Sequence, residues 1–292
     1  MTIAQRRQSG ARLTNALSVD VEDYFQVSAF AGTVPRAAWD GYPARVADNT
    51  RRILDMFAEA DAKATFFVLG WVARRHPDLI RAITDAGHEL ASHGAAHFRV
   101  FEQTPAEFRS DVDDTRKLLE DVGGVPVVGY RAASFSINRA TWWAFDELAL
   151  AGYRYSSSVN PIRHDHYGVH DAPRFPFVPR EGGPVEIPMT TVTVLGRRLP
   201  CSGGGFFRLL PYEWFRRGIG RVNRVEGMPA IFYFHPWEID PDQPRIAGLP
   251  WRSRFRHYVN LDVTANKLRR LLGDFRWSRI DVAFAEALST GR

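Results

Sequence analysis

The sequence predicts a parallel α/β fold, and three observations point to it. Short apolar segments at 15–22, 63–70, 88–93, 126–131 and 230–235 alternate with segments whose apolar residues recur at helical spacing. That alternation implies right-handed βαβ units and a parallel sheet or barrel. Asp20 and Glu22, His93, Arg131 and His235 all fall at the carboxyl ends of the apolar segments. In parallel α/β folds ligands bind beyond those ends, so the five would converge on one face. There is also no internal repeat, low-complexity tract or linker, which makes a single domain over 15–292 the simplest account.

Each element follows from local signals. The segment NALSVDVE is an apolar strand ending in acids. Val46, Ile53, Leu54 and Phe57 put a helix over 45–60, and KATFFVLG reads as a buried strand. A helix over 71–86 ends at Gly87, and a strand follows at 88–93. Thr104, Pro105 and Glu107 open the next helix as cap, first helical residue and capping-box partner, and Gly123-Gly124 stops it. A strand at 126–131 precedes a helix at 138–151 closed by Gly152. The second half is less regular: a loop over 163–180 containing His164-Asp165-His166, a two-stranded hairpin over 184–199 and a flexible glycine turn at 203–205. Helices at 211–225 and 253–272 flank the last apolar strand.

Composition narrows the function. With 292 residues, 45% of them hydrophobic, the chain can bury one large core or two small ones. Aromatics make up 13% with eight Trp, which suits a groove that stacks on sugar rings, although most must fill core. The net charge of +5 comes from scattered arginines, without the basic runs of a nucleic-acid binder. A single cysteine, Cys201, excludes an internal disulfide. Residues 1–14 are polar, with Arg6, Arg7 and Arg12, and are expected to form a mobile tail. Neither a signal-type apolar run nor a bilayer-length span is evident, so a cytoplasmic location is expected.

The chemistry concentrates in Ser92-His93-Gly94-Ala95-Ala96-His97. Histidines four apart on one helical turn face the same way and can share one ion. With a carboxylate from the acidic run Asp20-Val21-Glu22-Asp23, two histidines leave coordination positions open, the pattern of a catalytic metal. Spacing alone would favour ordinary structural histidines; the acids, Arg131 and His235 tip the balance. His164-Asp165-His166 is read as a polar loop near the cleft rather than a second metal site. The glycines at 203–205 lack the Lys/Ser and helix of a phosphate loop.

An acidic motif, His-x-x-x-His, Arg131 and His235, in that order, resemble the polysaccharide deacetylases of NodB-homology type, carbohydrate esterase family 4. The flanks VDVEDYF, GYRAASFS and FHPWEID are similar to the subfamily found with exosortase-type exopolysaccharide loci. The resemblance runs from about residue 15 to the C-terminal helix. It implies a distorted (β/α) barrel with an elaborated C-terminal half and one divalent metal, zinc ahead of cobalt, manganese or nickel. It also implies roles: Asp20 as general base, His93 and His97 as metal ligands, Arg131 pairing with the base, and His235 protonating the departing amine. Tyr24 and Trp237 are expected to contact substrate, Trp237 as a cleft wall, though it is nearly as well read as core.

The chain departs from the pattern in three places. Two adjacent aspartates are usual in the acidic motif, whereas Val21 follows Asp20 here, so the metal carboxylate falls to Glu22 or Asp23. Strand alternation puts Glu22 on the face of Asp20; a turn beginning at Glu22 would favour Asp23. Ala133 stands where a proline is usual, and Ser156 where the subfamily commonly has aspartate. The expected function is N-deacetylation of an N-acetylated polysaccharide or oligosaccharide. The alternatives are an O-acetyl esterase or cyclic-amide hydrolase on the same barrel, or a silent carbohydrate-binding relative.

Overall fold

The computed structural model describes residues 13–164 and 168–290. Strands β1 (Thr14–Val21), β2 (Thr65–Val68), β3 (Glu89–Ser92), β4 (Gly129–Tyr130), β5 (Tyr155–Ser156) and β6 (Val185–Glu186) lie side by side in chain order. A small antiparallel hairpin, β7 (Thr191–Val194) with β8 (Arg197–Pro200), stands apart. β9 (Ile231–Phe234) and β10 (Arg276–Ser278) return to pair with β1. Every pairing in the large sheet is parallel. No ladder joins β6 to β9 among the described residues, so the sheet curls into a half-barrel ringed by helices, the distorted (β/α) barrel expected.

Side-chain alternation sorts the two faces. Leu17, Val19 and Val21 point outward into the core under the helices, with Phe66, Val68, Leu90, Tyr130, Phe232 and Phe234. Ala16 points inward with Phe67, Ala91, Tyr155, Val185, Ile231 and Tyr233. Ser18, Asp20 and Glu22 share the parity of Ala16 and rise along the inner wall to the carboxyl end of β1.

Several helical expectations hold in detail. Val46–Glu59 is one helix. Pro105–Gly123 opens on the capping box: Thr104 Oγ1 accepts from the Glu107 N–H at 3.3 Å, and Glu107 Oε2 accepts from the Thr104 N–H at 2.8 Å. The expected tail at 1–14 falls mostly on residues 1–12, which lie outside those described, and Thr14 already belongs to β1. Among the described residues no helix is long and apolar enough to cross a membrane.

Other expectations need correction. The helix over 71–86 is two, Gly70–Arg75 and Pro77–Asp85, broken at His76 (φ −131°, ψ 58°). Pro77 lacks an N–H and sterically pushes the preceding residue out of helical conformation. The helix over 253–272 is likewise two, Trp251–Tyr258 and Leu261–Asp274, separated by Asn260 at φ +53°. The span 138–151 holds a 3₁₀ turn, Arg139–Thr141, capped by Asn138, before the helix Ala144–Leu150. The hairpin over 184–199 is displaced: Val185–Glu186 joins the large sheet and the hairpin begins at Thr191. The glycine turn at 203–205 is the start of a helix, Gly204–Leu209.

Candidate active site

Arg131 occupies the middle of the inner face, fully buried, and its charge is met on all sides. Its Nη1 donates to Asp20 Oδ1 at 2.6 Å and to Ser18 Oγ at 2.9 Å. Nε donates to the Ser157 carbonyl and Nη2 to Ser157 Oγ, both at 3.0 Å, and the guanidinium lies 4.1 Å from the Phe67 ring centroid. A buried guanidinium in a low-dielectric setting needs such a counter-ion and hydrogen bonds. Asp20 is therefore fixed through one oxygen, and its other oxygen lies 3.9 Å from His235 Nε2.

The two histidines meet, but not on a helix. His93 directly follows β3; Gly94 (φ +75°) and His97 (φ +55°) take left-handed backbone conformations, and the loop folds back on itself. The carbonyls of Gly94 and Ala95 accept from the N–H groups of Gly70 and Trp71, and those of Ala96 and His97 accept from Arg36. Outside partners thus claim the carbonyls that a helical turn would have used. Glu22, His93 and His97 bring one ligand atom each to within 4.8 Å of one another. His97 Nε2 lies 3.0 Å from Glu22 Oε2, yet that oxygen is buried without a properly aligned hydrogen bond.

Protonation suits a cation. His93 Nδ1 lies 2.8 Å from the Arg131 carbonyl, which makes Nδ1 the donor and turns the Nε2 lone pair toward the cluster. Burial pushes the His93 imidazole down to about 4, so it is neutral. Burial works to raise Glu22, but His97, His235 and His93 outweigh it and hold the carboxyl at about 2. An ionised carboxylate and two histidines with a buried, orphaned oxygen fit a divalent metal ion.

Asp23 is not part of the cluster. Its Oδ1 accepts from the Tyr24 N–H, and its Oδ2 accepts from those of Arg45 and Val46 at the start of the helix Val46–Glu59. The chain does turn after Glu22, but the turn aims Asp23 at that helix end. Tyr24 is also fully buried and packed edge-on to Phe25.

His235 is gripped by a residue that sequence reasoning missed. Glu238 Oε1 lies 2.7 Å from His235 Nδ1 and also accepts the His235 backbone N–H at 3.1 Å. Its Oε2 accepts from buried Arg208 at 2.7 Å. Burial alone would lower the His235 pKa, but Glu22, Glu238 and Asp20 raise it to about 9. Gly204 allows this arrangement, since an added Cβ would lie 2.0 Å from Glu238 Oε1. Proximity to His235 in HPWE was the one available signal, because a residue three on in a tight turn faces back. Trp237 is not a cleft wall: it is buried, stacked between His235 and His257, with its Nε1 donating to Glu22 Oε1 at 3.3 Å.

The two departures at 133 and 156 lie beside this site. Ala133 is buried at the start of a turn in which Ser134 and Phe135 both have positive φ. Ser134 Oγ donates to Ser28 Oγ, itself 3.4 Å from His97 Nδ1. Ser156 is in register with fully buried Glu186 on β6, so a carboxylate at 156 would crowd a second acid against it. Glu186 accepts the N–H groups of Ser158 and Val159, yet burial raises its pKa from 4.5 to about 7. The folded state therefore disfavours the ionised form. Its contribution is complete below pH 4.5, declines as pH rises to 7, and stays diminished above. Glu186→Gln is expected to remove that decline, a gain relative to wild type on the order of 3 kcal/mol between pH 4 and 8, read by urea unfolding. Parallel stability curves for the two proteins would contradict it. His164 is half-buried near Phe206, while Asp165 and His166 lie outside the described residues.

Residues 38–155 match the family described as polysaccharide deacetylase, and residues 157–285 match one described as a domain of unknown function, DUF3473. A peptidoglycan-N-acetylglucosamine deacetylase from Bacillus cereus is 29% identical over 105 residues, 36% of this chain and 47% of that protein. A chitooligosaccharide deacetylase from Rhizobium leguminosarum bv. trifolii is 48% identical over 48 residues, 16% of this chain and 22% of that protein. The chain thus spans less than half the length of these curated relatives. The crystal structure of a putative polysaccharide deacetylase from Mycobacterium smegmatis shares the fold, with a TM-score of 0.64 at 21% identity, covering 99% of this chain and 93% of that one.

Proposed function

Since the chain belongs over residues 38–155 to the polysaccharide deacetylase family, we propose that it is a metal-dependent hydrolase removing N-acetyl groups from sugar residues of a polysaccharide or its precursor. The observation that carries this reading is the convergence of the Glu22–His93–His97 cluster, the Arg131-held Asp20 and the Glu238-held His235 at one mouth. Asp20 and Glu22 precede the deacetylase match and His235 falls in the DUF3473 match, so we read 15–292 as one working domain.

Glu22, His93 and His97 would hold the ion, and two nitrogens with one carboxylate suit zinc, with cobalt, manganese or nickel as substitutes. When bound, the ion polarises the acetyl carbonyl and lowers the pKa of water. Asp20, oriented by Arg131, accepts a proton from the water that attacks the amide carbon. His235, its Nδ1 held by Glu238, gives its proton to the amide nitrogen as the C–N bond breaks. The products are a free amino sugar and acetate.

A strong chelator is expected to abolish acetate release from an N-acetylglucosamine oligomer while the far-UV circular dichroism stays unchanged, because the barrel is held by an extensive core of apolar side chains that needs no ion. His93→Ala and His97→Ala should purify without stoichiometric metal. Unfolding on chelation would make the ion structural. Release from an O-acetylated sugar but not from the N-acetylated one would make the protein an esterase.

A further inference from the structure

A cavity of about 200 Å³ opens beside His97 and is lined by Phe25, Gln26, Arg36, Trp39, His97 and Arg99, among others. Resting on the deacetylase reading and extending it, we infer that this cavity is a subsite for a carboxylate-bearing sugar, a hexuronate unit adjoining the residue that loses its acetyl group. Size sets the first limit: sites for drug-sized ligands run to about 300–1,000 Å³, so this one suits a single ring. Because His97 forms part of its wall, whatever fills it sits next to the candidate metal cluster.

The wall is rich in donors. Gln26 is 2% exposed, and its Oε1 accepts the Asp23 N–H at 2.7 Å. That leaves Nε2 buried without a partner, a costly state that a ligand oxygen would relieve. Arg36 and Arg99 add two positive charges, and the carboxylate they share is Glu102, which lies outside the lining. One carboxylate against two guanidinium groups leaves a net positive charge, and no Asp or Glu lines the cavity among the described residues. Guanidinium groups pair with carboxylates in two-point geometry. Phe25 and Trp39 supply apolar faces for the ring carbons. Arg36 also holds the carbonyls of Ala96 and His97, so an anion on this side would bear on the histidine loop itself.

The test compares glucuronic acid with glucose by calorimetric or NMR titration of the purified protein. Wild type is expected to bind glucuronate at least tenfold more tightly. Gln26→Glu keeps the acceptor for the Asp23 N–H and replaces the donor with a negative charge; Arg99→Gln removes one cation, and either should bring the ratio near one. Equal affinities in wild type, or a preference that survives in both variants, would overturn the subsite. Acetate release is assayed on the same preparation. Its absence alongside an intact uronate preference would overturn the deacetylase reading and still support the subsite.

Discussion

Asp20→Asn is expected to lower kcat by about 10²–10⁴-fold, the usual loss when a general base is removed, while the metal content stays unchanged. Asparagine has the same shape and can still accept from Arg131 Nη1, so the geometry around Ser18 and Ser157 should survive. The proton acceptor itself is what disappears. Removing the negative charge also leaves the buried Arg131 cation without its counter-ion, so stability should fall by about 3–5 kcal/mol at most, moderated by the retained hydrogen bond. The measurements are kcat on an N-acetylglucosamine oligomer, metal per chain and the melting temperature. A folded, metal-loaded Asp20→Asn protein with wild-type kcat would remove Asp20 from the reaction.

Period-two alternation in β1 was enough to put Asp20 and Glu22 on one face, because residues two apart on an extended strand point the same way. The ends of β3, β4 and β9 were legible in the same way, which brought His93, Arg131 and His235 to a common mouth. The conformation between His93 and His97 was not. Four-residue spacing fits a helical turn as well as a folded loop, and the choice was made by Arg36, sixty residues away, and by the N–H groups of Gly70 and Trp71. Asp23 was equally ambiguous, since its backbone donors Arg45 and Val46 come from across the chain. Arg208 and Gly204 could not be seen at all from local pattern. Their roles exist only because the helix Gly204–Leu209 packs on the turn Pro236–Ile239. Tyr24 and Trp237 were open in the sequence because aromatics near a site are equally suited to wall or core; both are buried.

His235→Ala is expected to cost about 10²–10⁴-fold on the N-acetyl substrate and far less on an activated acetyl ester. An amide nitrogen must gain a proton before it can leave, whereas a nitrophenolate leaves unaided. The acid must be charged to act, and the alkaline limb of the rate profile should therefore fall through its pKa. Glu238 is in direct contact with the ring and favours the cation, so Glu238→Gln should lower that pKa and move the alkaline limb toward lower pH. Arg208 loses its own counter-ion in that variant, so part of the loss will be in stability; the ratio of amide to ester rates separates the two, since misfolding lowers both alike. Equal losses on amide and ester in His235→Ala would assign leaving-group protonation to another residue, and the Glu238 grip would then serve only to hold the ring against Trp237.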